Sequence, residues 1–124
     1  MLPHKPTDGE LAILRVLWAR GPCTVRAVHE ALGQGTGYTT VLKLLQIMTE
    51  KGLVRRDEAD RAHVYEAAVT EDQTQRHLVD DLLDRAFGGS AERLVLHALG
   101  ARGASASELA EIRALLDKLD SKRP

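Results

Sequence analysis

From Thr7 onward, apolar residues return at a spacing that lines one face of a helix: Leu11, Leu14, Leu17 and Trp18. Thr7 is a capping residue type, and Glu10, three positions on, can complete a capping box. Gly21-Pro22 stops this stretch near Arg20, and Thr24 is the next cap. Val25, Val28 and Leu32 then form a stripe that ends in the loop Gly33-Gln34-Gly35-Thr36-Gly37. A third helix is expected from about Tyr38 to Lys51, with Val41, Leu44, Leu45 and Met48 inward and Gly52 as its stop.

The period then changes. Leu53-Val54-Arg55-Arg56 and His63-Val64-Tyr65-Glu66-Ala67 have the alternation of two short strands, and the polar run Asp57-Glu58-Ala59-Asp60-Arg61 turns between them. From Thr70 helical spacing resumes with Leu78, Val79, Leu82, Leu83, Ala86 and Phe87, as far as Gly88-Gly89. Ser90 caps a shorter helix carrying Leu94, Val95, Leu96 and Leu99; Gly100 to Ala104 is expected as a flexible joint. Ser105 or Ser107 starts a last helix with Leu109, Ile112, Leu115, Leu116 and Leu119. The expected fold is mainly α with a small β-hairpin, divided near residue 69.

With 124 residues the chain is one small domain or one domain with an appendage. Aromatics are only 3%, so the core must be built from Leu, Val, Ile and Ala. Cys23 is the single cysteine, which excludes an internal disulfide and a multi-cysteine metal cluster. It lies beside a helix start; a redox role is the alternative to a small packed residue. No apolar run approaches the ~20 residues of a membrane span, and Met1 to Pro6 lack the apolar stretch of a signal peptide. A cytoplasmic protein without direct membrane insertion is expected. The net charge of −1 argues for no polyanionic partner by itself. Residues 1–68 hold nine Lys/Arg against eight Asp/Glu, so placement of charge matters more than its sum.

Three helices followed by a two-stranded hairpin is the order of a winged helix-turn-helix, in which the third helix enters the DNA major groove and the wing reaches the backbone. Opposite its apolar face the third helix carries Thr39, Thr40, Lys43, Gln46 and Ile47. Threonine can meet base edges, phosphates or a thymine methyl, and a first-turn position favours a phosphate. Any amphipathic helix has such a polar face in water; the hairpin that follows is what turns the reading toward DNA. In the hairpin Arg55, Arg56, Arg61 and His63 can neutralise phosphates. Asp57, Glu58 and Asp60 at its tip oppose close approach, so Arg55 and Arg61 are expected to matter most.

Gly9-Glu10-Leu11 through Val16-Leu17-Trp18, Gly21-Pro22-Cys23-Thr24-Val25-Arg26, Tyr38-Thr39-Thr40-Val41, Lys51-Gly52-Leu53-Val54 and Ala62-His63-Val64-Tyr65 together resemble the penicillinase-repressor family of winged-helix regulators, the BlaI/MecI type. The likeness continues through Leu94-Val95-Leu96 and Glu108 to Arg113, nearly the whole chain. The resemblance implies a homodimeric repressor of a double-stranded, two-fold symmetric operator with ACA and TGT elements. It implies dimerisation by the C-terminal helices and, in several members, release through a membrane-bound metalloprotease sensor, including in antibiotic resistance. Aligned through Val95-Leu96, the cleaved Asn–Phe pair of the β-lactam-responsive members falls on His97-Ala98, a departure from that pair. The copper-responsive relatives have paired Cys-x-Cys motifs; Leu119 to Pro124 contain no cysteine, which argues against that mechanism.

Residues 1–69 are thus expected to be the winged helix-turn-helix DNA-binding domain, and 70–124 a helical dimerisation arm. An arm of this kind buries apolar stripes against a second copy, here Leu78, Leu82, Phe87, Leu94, Leu109, Ile112, Leu116 and Leu119. Folding back onto their own chain is the alternative. Two other readings stand beside the repressor: a winged helix that contacts protein, and a repressor released by a small effector. The scattered histidines make no metal motif, and no Walker loop, dinucleotide fingerprint or nucleophile elbow occurs. No enzyme and no cofactor are expected.

Overall fold

The computed structural model describes residue 2, residues 4–59 and residues 61–123. Met1, Pro3, Asp60 and Pro124 lie outside them, and with Asp60 goes one of the three acids expected at the wing tip.

Helix α1 (Asp8–Arg20) starts with the expected capping box: the Thr7 hydroxyl accepts from the Glu10 N–H at 3.3 Å, and the Glu10 carboxylate accepts from the Thr7 N–H at 2.9 Å. After a two-residue strand β1 (Cys23–Thr24) comes α2 (Val25–Leu32), capped by the Thr24 hydroxyl on Ala27 N–H at 3.1 Å. Helix α3 (Tyr38–Lys51) ends at Gly52, whose left-handed φ of 80° is an open conformation for glycine alone. The Leu53 N–H returns to the Met48 carbonyl at 2.9 Å, which turns the chain directly into the wing.

The wing is β2 (Val54–Asp57) and β3 (Val64–Ala67), antiparallel, with Arg55 opposite Glu66 and Arg56 opposite Tyr65. It is not a lone hairpin. β1 pairs with the other edge of β3, Cys23 opposite Tyr65, in a sheet of order β1-β3-β2. Two residues between Gly21-Pro22 and a helix are too short to show alternation, so the sequence reading had missed this strand. The core beneath joins Ile13, Leu14 and Leu17 of α1, Val28 of α2, Val41, Leu45 and Met48 of α3, and Leu53, Val54 and Tyr65. Cys23 is buried at its margin and donates to the Gly21 carbonyl. The architecture is a winged helix.

Helix α4 (Glu71–Ala86) is capped by Thr70, whose hydroxyl accepts from Gln73 N–H at 3.0 Å. Gly88 and Gly89, both at positive φ, precede α5 (Ala91–Arg102). The joint expected at Gly100–Ala104 is shorter than its composition implied: Gly100, Ala101 and Arg102 stay helical, and the break falls at Gly103, with φ of 73°. One glycine inside a helix costs only about 1 kcal/mol, too little to end it. Helix α6 (Ala106–Ser121) starts at Ser105, not Ser107, with a second capping box to Glu108.

The chain forms two compact units, residues 1–81 and 82–124. The first holds the whole winged helix and most of α4. In the second, no described residue is buried; Leu82, Val95, Leu96, Leu115, Leu116 and Leu119 are all exposed.

Candidate nucleic-acid interface

The inward turn of Val41, Leu45 and Met48, each 0% exposed, dictates what α3 presents on its other side. Thr39, Thr40, Lys43 and Gln46 are all exposed there, while Ile47 is half-buried. No side chain caps the start of this helix, and its backbone hydrogen bonding begins with Val41 N–H on the Gly37 carbonyl. The N–H groups of the first turn therefore face outward beside the Thr39 and Thr40 hydroxyls, as an anion requires.

On the wing the four basic candidates divide into two kinds. Arg55 is paired across the strands with Glu66 at 3.2 Å, and Arg56 is paired with Glu58. Arg61 and His63 are exposed, and among the described residues neither has an ion-pair or hydrogen-bond partner. Asp57 is turned to local work, accepting from Ala59 N–H at 2.9 Å.

Arg61 and His63 join a groove of about 450 Å³ with Thr24, Val25 and Arg26 of the α2 start and Tyr38 and Leu42 of α3. Arg26 is itself exposed and paired one helical turn on with Glu30, at 3.4 Å. Tyr38, 48% exposed, is braced edge-on by the His29 ring at 5.8 Å. The sequence reading had not placed Arg26 and Tyr38 at this surface. The signal was hidden with β1, because the pairing of β1 with β3 is what brings the α2 start beside the wing.

The far end of α3 is anchored. Lys51, its last residue, reaches both carboxylate oxygens of Glu10 at 2.9 and 3.1 Å, and that carboxylate is 1% exposed. Burial by itself would raise the Glu10 carboxyl; the Thr7 N–H and the Lys51 ammonium outweigh it and hold it below its ordinary value. Each charge also sits at the helix end that favours it, the acid in the first turn of α1 and the base in the last turn of α3.

The remaining candidates lie elsewhere. Leu78, Phe87, Leu94, Leu109 and Ile112 are half-buried, while Leu82, Leu116 and Leu119 are exposed. Val95, Leu96 and Leu115, which the sequence reading had left out of the dimer surface, are exposed too. His97 and Ala98 are exposed in the middle of α5, with the His97 ring 5.8 Å from that of Phe87. Among the described residues no group of three His, Cys, Asp or Glu could hold a metal, and no helix is long and apolar enough to cross a membrane.

Residues 6–118 match the family model for the penicillinase repressor. The chain is 37% identical over 116 residues to the transcriptional regulator BlaI of Mycobacterium tuberculosis, in strains CDC 1551 and H37Rv alike; the match covers 86% of this chain and 84% of that one. Among solved structures, that of hsRosR-SG is similar over all of both chains with a TM-score of 0.53 and 18% identity, a likeness of fold.

Proposed function

The chain belongs to the penicillinase-repressor family of transcriptional regulators, and on that premise we propose that it is a cytoplasmic homodimeric repressor of a two-fold symmetric operator. Each winged helix takes one half-site. The observation that carries this reading is the outer surface of α3: Thr39, Thr40, Lys43 and Gln46 exposed together beside an uncapped helix start. Lys43 and Gln46 are then the base readers and the first-turn threonines meet the backbone. Arg61, His63 and Arg26 flank the passing strand from the wing groove. Residues 70–124 supply the dimer, which accounts for a second unit with no described buried residue. A second copy is the natural cover for Leu116, Leu119 and their exposed neighbours.

Release from DNA follows from cutting the segment 90–103 after a signal from a membrane-bound metalloprotease sensor. Exposure of His97 and Ala98 supports this site, and their helical setting means that α5 must unwind locally before a protease can hold the bond.

The test is selection of bound duplexes from a random DNA pool, followed by fluorescence anisotropy at two salt concentrations. An enriched inverted repeat, bound in a strongly salt-dependent way, is the expected result. Lys43→Ala should weaken that site by about tenfold, at about 1–3 kcal/mol per base-reading contact, and Thr40→Ala should weaken binding about equally at all sequences, as the loss of a backbone contact does. Unchanged affinity in both variants would mean that α3 does not read the operator. The absence of any enriched site would favour a winged helix that contacts protein.

A further inference from the structure

The wing groove, which lies wholly within the compact unit of residues 1–81, offers more than a phosphate needs. Arg61 and His63 are exposed with no partner among the described residues, and Arg26 has only its 3.4 Å contact with Glu30, in which both side chains stay largely exposed. No described carboxylate lines the groove. A passing strand is held by cations of this kind alone. Beside them, however, stand apolar groups: the half-exposed Tyr38 ring, braced edge-on by His29, and the half-buried Leu42. The least exposed lining residue is Tyr65, at 1%, and its hydroxyl has no hydrogen-bond partner among the described residues. No fully enclosed side-chain oxygen among those residues lacks a partner, so this hydroxyl keeps an opening, and the groove is the cavity that Tyr65 lines. At such depth a phenol gains from any acceptor that reaches it.

We propose that this groove is a binding site for a small aromatic carboxylate, and that its occupation releases the winged helix from DNA reversibly. At about 450 Å³ the groove lies in the range of pockets that hold one small molecule, about 300–1,000 Å³. The carboxylate meets the Arg61 guanidinium, whose fork matches it, and accepts from the Tyr65 hydroxyl. The aromatic body lies against Tyr38 and Leu42. Inorganic phosphate supplies the charge but nothing for that apolar wall; a neutral aromatic supplies the reverse. The release rests on the DNA-binding reading given above: the cations are those assigned to the passing strand, and a bound anion both occupies them and repels the phosphates. The binding itself does not depend on that reading.

The experiment uses the full chain, Tyr65→Phe and Arg61→Ala. Calorimetric titration without DNA compares benzoate and naphthoate with benzyl alcohol and inorganic phosphate at matched ionic strength. Naphthoate should bind at one site with a Kd of about 1 mM or tighter, and the alcohol and phosphate at least about tenfold more weakly. Arg61→Ala should weaken naphthoate about tenfold. Tyr65→Phe, which removes one oxygen and no packing, should weaken it about three- to tenfold. In the second arm, the duplex recovered by selection is titrated at constant ionic strength. Naphthoate at ten times its Kd should lower the affinity of the unaltered chain about tenfold, as competition requires. Tyr65→Phe should bind the duplex normally without naphthoate and respond less to it. No saturable binding of either carboxylate, equal binding of phosphate or the alcohol, or full binding by both variants would overturn the site and leave the DNA-binding reading intact. Naphthoate bound with no effect on the duplex would overturn the release. Failure of the unaltered chain to select any duplex would overturn the DNA-binding reading, and the calorimetry would still decide the site. Should Tyr65→Phe lose its cooperative melt, Arg61→Ala, a change at an exposed position, decides the calorimetric arm alone.

Discussion

Replacing Glu10 by Gln keeps the size of the side chain and an oxygen for the Thr7 N–H, but removes the charge that Lys51 meets at 2.9 Å. A hydrogen bond to a charged group is worth about 1.5–3 kcal/mol. Breaking a fully buried pair costs about 3–5 kcal/mol because the survivor is stranded. Lys51 is not stranded: its side chain is 30% exposed and can turn to water. The loss for Glu10→Gln should therefore be about 1.5–2.5 kcal/mol at neutral pH. The reverse change is different. In Lys51→Met the remaining carboxylate is 1% exposed and has no cation, so the loss should be larger, about 3 kcal/mol. Urea unfolding followed by the fluorescence of Trp18, the one tryptophan and a residue of α1, reads this directly. The midpoint should fall by about 1 M for Glu10→Gln, with an unchanged slope. The pH dependence gives a second reading. The folded Glu10 carboxyl lies below its ordinary value of 4.5, so its contribution is complete above that value and is lost as the pH falls through the lowered one. The gap between the unaltered protein and Glu10→Gln should be constant from pH 7 to about 5.5 and close on further acidification. Equal costs for the two single variants, or a gap that persists at pH 2, would refute the reasoning.

Other outcomes follow from the wing and the turns. Arg61→Ala should reduce the salt slope of operator binding by about one, whereas Arg55→Ala should reduce it by less, because Arg55 is already paired with Glu66; equal slopes would remove that distinction. Trp18→Phe leaves the Val69 carbonyl without its donor and should cost about 1 kcal/mol in thermal or urea unfolding. Gly52→Ala forces a side chain into a φ of 80° and should cost about 1–2 kcal/mol, with a matching loss of wing order in amide exchange.

The three helices of the winged domain were legible because each carries its own start and stop: Thr7 with Glu10, Thr24, and Gly52 at the end of α3. Helical spacing then told inward Val41, Leu45 and Met48 from outward Lys43 and Gln46. What could not be read was whatever depends on contacts between distant segments. β1 exists only because β3 lies beside it, and Arg26 joins the wing groove for the same reason. The pairing of Arg55 with Glu66 needs the strand register, and the reach of Lys51 to Glu10 spans 41 positions. The joint after α5 was overdrawn because glycine content says that a helix can break, not where it must.

The self-paired wing bears on how a regulator of this kind finds its site. A protein with two of its wing arginines, Arg55 and Arg56, already paired, on a chain with a net charge of −1, releases fewer counterions on meeting arbitrary DNA. Non-specific sites outnumber any operator by many orders of magnitude and ordinarily hold most copies of a DNA-binding protein as a reservoir. Weak general adhesion empties that reservoir. More of the molecules stay in free solution, the search proceeds by short visits more than by long slides, and occupancy of the operator tracks the number of intact copies closely. On the repressor reading proposed above, that sensitivity converts a modest fall in copy number into a prompt loss of repression.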